Sequence, residues 1–166
     1  MEYFAKNFFG NVLGNLGGYQ YPLVMSETTQ PKGTEMTTWV YNDGGRAEAG
    51  YKSTAADCVV RAVAIVMEIP YKVIYEDLRH FLTSRGAPSP RNGIYEEDAH
   101  LYLKQMGFRY KQINGDTVTL HRDQLPKGKV IANLPRHATA VVDGIVNDTF
   151  DPNAKKHQRL LGYWYR

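Results

Sequence analysis

Two hydrophobic periods divide the chain. Between residues 55 and 106 apolar positions recur at the three- and four-residue spacing of helices, and after Gly107 they alternate as strands do. In the stretch 55–67, Ala62, Val63, Val66 and Met67 predict a buried helix. Asp57 is expected to cap it, its side chain accepting free backbone N–H groups of the first turn. Pro70 opens a second helix, with Val73, Ile74, Leu78, Phe81 and Leu82 inward and Gly86 at its end. A third is expected over 94–106, with Tyr95, Ala99, Tyr102, Leu103 and Met106 on the apolar side and Gly107 closing it.

The alternating half begins with a strand at 108–113 and a turn after it. A short turn or helix at 120–125 and a strand at 129–134 follow. The clearest hairpin joins 137–142 to 145–150 through Asp143-Gly144, a two-residue loop of the type that matches strand twist. With that turn, Val142 pairs with Ile145, Val141 with Val146 and Thr139 with Asp148. Asp148 then becomes the diagonal neighbour of His137 on one face, and a one-residue slip would present Asn147 instead. A last strand is expected at 160–165, where Tyr163-Trp164-Tyr165 looks like an edge that another chain could pair with. A short strand at 37–41 precedes the helices. The expected class is α+β: helices, the cysteine-bearing one first, followed by an antiparallel sheet.

Residues 1–36 carry only weak periodicity, broken by Gly10, Gly14 and Gly17-Gly18. They are expected to form an arm or linker, either loosely docked, partner-binding or covering a cleft, and 37–166 a single domain. Composition narrows the class without defining it. At 43% hydrophobic and 22% charged residues, the 166-residue chain resembles an ordinary globular domain. Its charge of +3 comes from 20 basic and 17 acidic residues dispersed along the sequence, so nucleic acid is not an expected partner. The small basic run at 155–159 reads as a solvated loop. No run of about 18 apolar residues predicts a membrane span, and 1–25 lacks the pattern of a secretory leader. A cytoplasmic location is expected.

One cysteine excludes an internal disulfide framework and any multi-cysteine zinc site. It also concentrates the candidate chemistry. Cys58 falls on the first residue of a buried helix, where free N–H groups and the helix dipole stabilise a thiolate. Equally, a lone cysteine beside an apolar helix is often a small core hydrophobe. His137 at the start of one strand and Asp148 on the next complete a nucleophile, base and orienting-acid set. The Cys58 N–H would form half of an oxyanion hole, with Lys52, Ser53 or Thr54 as the second donor. His80, His100, His121 and His157 read as surface or core-edge residues. His100 and Glu96 stand one turn apart, but two ligands do not make a metal site, and neither metal nor cofactor is expected.

The segments Gly50-Tyr51-Lys52, Asp57-Cys58-Val59-Val60-Arg61-Ala62-Val63-Ala64, His137 through Gly144, and Gly162-Tyr163-Trp164 resemble the papain-like cysteine peptidase superfamily. More narrowly, they are similar to small papain-like proteins of bacteriophages. The resemblance spans about residues 38–166. It implies a papain-like fold and a thiol-dependent hydrolase, peptidase or amidase-like, with Cys58 as nucleophile, His137 as general base and Asp148 as orienting acid. It also implies a peptide or protein substrate, a host protein among the candidates, and the host cytoplasm as location if the chain is phage-encoded. Papain-like peptidases usually carry a glutamine oxyanion donor six residues before the cysteine, where this chain has Lys52. That departure keeps open an alternative: a catalytically inactive papain-like scaffold that binds and inhibits a host protein.

Overall fold

Residues 38–52, 54–115 and 118–166 are described by the computed structural model. The arm expected over 1–36 and the candidate Ser53 lie outside them. Three α-helices and one six-stranded sheet give a mixed α+β fold among the described residues. β1 (Trp39–Tyr41) precedes α1 (Cys58–Met67), α2 (Tyr71–Ser84) and α3 (Glu96–Gln105). The strands β2 (Arg109–Gln112), β3 (Lys129–Leu134), β4 (His137–Val142), β5 (Ile145–Asp148) and β6 (Gly162–Tyr165) follow.

The sheet order is β1-β5-β4-β3-β6-β2. Its neighbours run antiparallel except β1, which lies parallel to β5. The described chain opens on the expected short strand and has the cysteine helix first among its helices, but the sheet is mixed rather than wholly antiparallel. A strand of three residues signals neither its neighbour nor its direction. The last strand corrects a second expectation. β6 is paired on both sides, by β3 and β2, so Tyr163-Trp164-Tyr165 is interior to the sheet and offers no free edge.

α1 is buried almost all round, with Val59, Val60, Ala62, Val63, Ala64 and Val66 in the core. It packs with Ala138 and Ala140 of β4, small side chains that let helix and sheet approach closely. In α2 the row Tyr71, Ile74, Leu78 and Leu82 is buried, while Val73, one position off that row, is 55% exposed. Tyr95 also differs from expectation: it precedes α3 and stands 68% exposed. A second core forms from Val130, Ala132 and Leu134 of β3, Val141, Val146 and Tyr163, closed by Leu120, Leu125 and Leu160 from the connecting segments. Val130, Ala132 and Leu134 join this core while Ile131 joins the first, as strand alternation requires.

The turn between β4 and β5 places Asp143 at φ 49° and Gly144 at φ 80°, the left-handed pair of a tight hairpin. Its register is Val142↔Ile145, Val141↔Val146 and Ala140↔Asn147. At the other side of the sheet, Gly162 leaves no room for a side chain. A Cβ there would overlap Tyr110 Oη and stand 2.6 Å from the Lys111 carbonyl oxygen. Gly162→Ala is expected to cost about 1–3 kcal/mol by overpacking. Tyr110→Phe in the same chain should recover part of that loss, because the backbone contact remains. Thermal melts of the single and double variants check this, and an unchanged midpoint in Gly162→Ala would contradict it.

Candidate active site

Cys58 is the first residue of α1, where its N–H has no partner four residues back within the helix. Its side chain is half-buried. It lines a cleft of about 460 Å³ together with His137, Asn133, Glu96, Phe150 and Trp164 among others. The hairpin register brings His137 to Asp148, with His137 Nε2 and Asp148 Oδ2 2.6 Å apart. Cys58 and His137 line the same cleft, and the imidazole is near enough to the thiol to lower its pKa. Since Nε2 is engaged by the carboxylate, Nδ1 is the ring nitrogen left for the sulfur. The structure therefore brings Cys58, His137 and Asp148 into one connected group.

Asp148 is 3% exposed. β1 flanks it: Tyr41 pairs with it in the sheet, and Trp39 Nε1 donates to its carbonyl at 3.1 Å. Its Oδ1 accepts the Thr149 N–H at 2.7 Å. The ring of Phe150 packs 4.9 Å from that of His137, centroid to centroid.

The electrostatics of the three groups are coupled. Burial pushes the Cys58 thiol up, but the nearby His137 imidazole, the Ala138 backbone and Arg61 outweigh it, and the net shift is downward. Burial opposes protonation of His137, yet Asp148 and Cys58 prevail and push its pKa from 6.5 up to about 9. Burial likewise raises Asp148, but His137 and the Thr149 N–H hold it below the usual carboxylate range. All three shifts favour a thiolate–imidazolium pair beside an ionised carboxylate.

These shifts set a pH dependence of stability. A histidine raised from 6.5 to about 9 stabilises the fold fully below pH 6.5, and that contribution is lost as pH rises to about 9. The depressed thiol acts in the opposite sense, its contribution growing as pH rises. Removing the thiol isolates the imidazolium, which Asp148 still holds. Cys58→Ala is expected to lose thermal midpoint as pH rises above 6.5, through a folded histidine pKa still raised by Asp148 but lower than in the wild type, relative to Cys58→Ala/His137→Gln. Parallel pH profiles for the two would contradict the ion pair.

Other candidates lie elsewhere. Lys52 is exposed and absent from the lining of the cleft, and its carbonyl accepts a bond from Arg46 at 3.3 Å. Thr54 is exposed as well and does not line the cleft. His100 Nε2 stands 3.8 Å from Glu96, and its ring packs on Tyr110 and Trp164. His80 and His157 are exposed, and His121 lies 3.4 Å from Asp123. Among the described residues no cluster of three or more histidine, cysteine or acidic side chains is placed to hold a metal ion, and no helix is long and apolar enough to cross a membrane.

Asp57 departs from its expected role. Its side chain makes no cap hydrogen bond. It is buried instead among Arg46 Nε at 2.7 Å, Tyr71 Oη at 2.6 Å and the Arg61 guanidinium. Arg61, which the sequence reading passed over, is 8% exposed and also lies 3.6 Å from Asp148 Oδ1. Its signal was present: one cation four residues after an aspartate, within a helix otherwise wholly uncharged.

No protein-family model, curated protein or solved structure matches the chain.

Proposed function

We propose that the chain is a thiol-dependent hydrolase of papain-like type that cleaves an amide or peptide bond through a Cys58 thioester. The supporting observation is the placement of His137 between the Cys58 thiol and the buried Asp148. His137 takes the thiol proton, and the sulfur bonds to the substrate carbonyl carbon. The C–N bond then breaks as His137 returns the proton to the leaving amine. Water, deprotonated by His137, hydrolyses the thioester, releasing the acid and restoring the thiol. The Cys58 N–H at the start of α1 supplies one donor for the oxyanion.

A second reading has its own support. Lys52 stands outside the cleft, and the Ala56 N–H is occupied by the Arg91 carbonyl at 2.9 Å. A scaffold without a complete oxyanion hole, binding a host protein through the same cleft, fits those two facts. Intact-mass spectrometry with a peptide-based acyl probe separates them. An adduct on the wild type, mapped to Cys58 and lost in Cys58→Ala, is expected of the hydrolase. A wild type that stays unmodified while binding the peptide would support the scaffold.

A further inference from the structure

The connected group does not end at Asp148. Arg46 Nε lies 2.7 Å from Asp57 Oδ2, and Arg61 Nη1 donates to Asp57 Oδ1. Arg61 Nη2 stands 3.6 Å from Asp148 Oδ1, whose other oxygen meets His137. Cation and anion alternate along this line from Arg46 to Asp148. The alternation continues through His137 and Cys58 only when these are imidazolium and thiolate.

We infer that Arg61 is a positioning residue for the Cys58–His137 pair: its guanidinium, held between the buried carboxylates of Asp57 and Asp148, fixes Asp148 against His137. The inference rests on the reading of Cys58 as the nucleophile. Asp57 does not need Arg61 for neutralisation, because Arg46 and the Tyr71 hydroxyl already meet it. Asp148 has no other arginine or lysine among its ion pairs with described residues. A buried carboxylate with one cationic partner is costly to keep ionised, and a second nearby cation offsets that cost.

The geometry also requires arginine. Two nitrogens of one planar group reach two carboxylates, which a single ammonium cannot do in the same way. At 3.6 Å the contact with Asp148 acts through charge and orientation rather than as a hydrogen bond. The groups facing this guanidinium are Asp57 from the preceding loop and Asp148 from β5, with the Cys58 thiol on its own helix close enough to feel its charge.

The test is the rate of Cys58 alkylation by iodoacetamide as a function of pH, on the full chain, for wild type, Arg61→Met and Arg61→Lys, with thermal midpoints alongside. The inflection of Arg61→Met is expected to move to higher pH by about one pH unit, and that of Arg61→Lys to fall between the two. A purely structural role would lower the midpoint and leave the inflection in place. If Arg61→Met fails to fold, Arg61→Lys decides, because it keeps the charge and loses the fork. A wild-type inflection that is depressed and unmoved in every folded variant overturns the Arg61 role alone. A wild type with no depressed inflection overturns the nucleophile reading and this role together.

Discussion

His137→Ala is expected to slow modification of Cys58 at neutral pH by about 10²-fold or more. Two effects combine. The imidazole that accepts the thiol proton is gone, and so is the cation that opposes the cost of burying a thiolate. What remains is a sulfur at a helix N-terminus in a partly apolar cleft, where burial now acts without its main counterweight. Asp148→Ala should follow in the same direction with a smaller effect, since the imidazole stays but loses the partner that holds Nε2. Competition kinetics with iodoacetamide, read by intact mass, measures both. Equal rates in wild type and His137→Ala would reduce Cys58 to an accessible cysteine. A larger loss in Asp148→Ala than in His137→Ala would contradict this ranking of the two groups.

Asp57→Ala is expected to destabilise the fold by about 3–5 kcal/mol. A lost N-cap costs only about 1 kcal/mol, so the size of the effect distinguishes the two roles this residue has been given. At 2% exposure the carboxylate meets Arg46, Arg61 and Tyr71. Truncating it leaves Arg61 with Asp148 alone and orphans the Tyr71 hydroxyl, itself on a side chain 1% exposed. Asp57→Asn keeps the shape and part of the hydrogen bonding, and should lose less than alanine. Denaturant melts of the two variants give the comparison. A loss near 1 kcal/mol in Asp57→Ala, with Asn and Ala alike, would return Asp57 to an ordinary cap.

The contrast between Asp57 and the hairpin shows which parts of the structure could be read from the chain. Asp143-Gly144 fixes a two-residue turn, the turn fixes the pairing of 140–142 with 145–147, and that register brings Asp148 to His137. Each step is local, so sequence spacing was enough. The α1 boundary at Cys58 was legible for the same reason. Asp57 was placed correctly along the chain but not in space. Its partners come from Arg46, 11 positions earlier, and Tyr71, 14 positions later, and no periodicity reports such contacts. β1 and β6 failed likewise. Both were visible as strands, while the parallel pairing of Trp39 with Val146 and the insertion of β6 between β3 and β2 depend on long-range packing. Lys52 was singled out by its distance from the cysteine, and the loop that carries it turns its side chain to solvent.

The ionisation state of Cys58 in the unmodified wild-type chain is the most direct measurement of the account. The rate of its alkylation across pH, or the thiolate absorbance in the ultraviolet with Cys58→Ala as the blank, reports it without any substrate. The geometry predicts an inflection below the free-thiol value of about 8.5, abolished by His137→Ala. An inflection at or above that value in the wild type would contradict a His137-activated nucleophile.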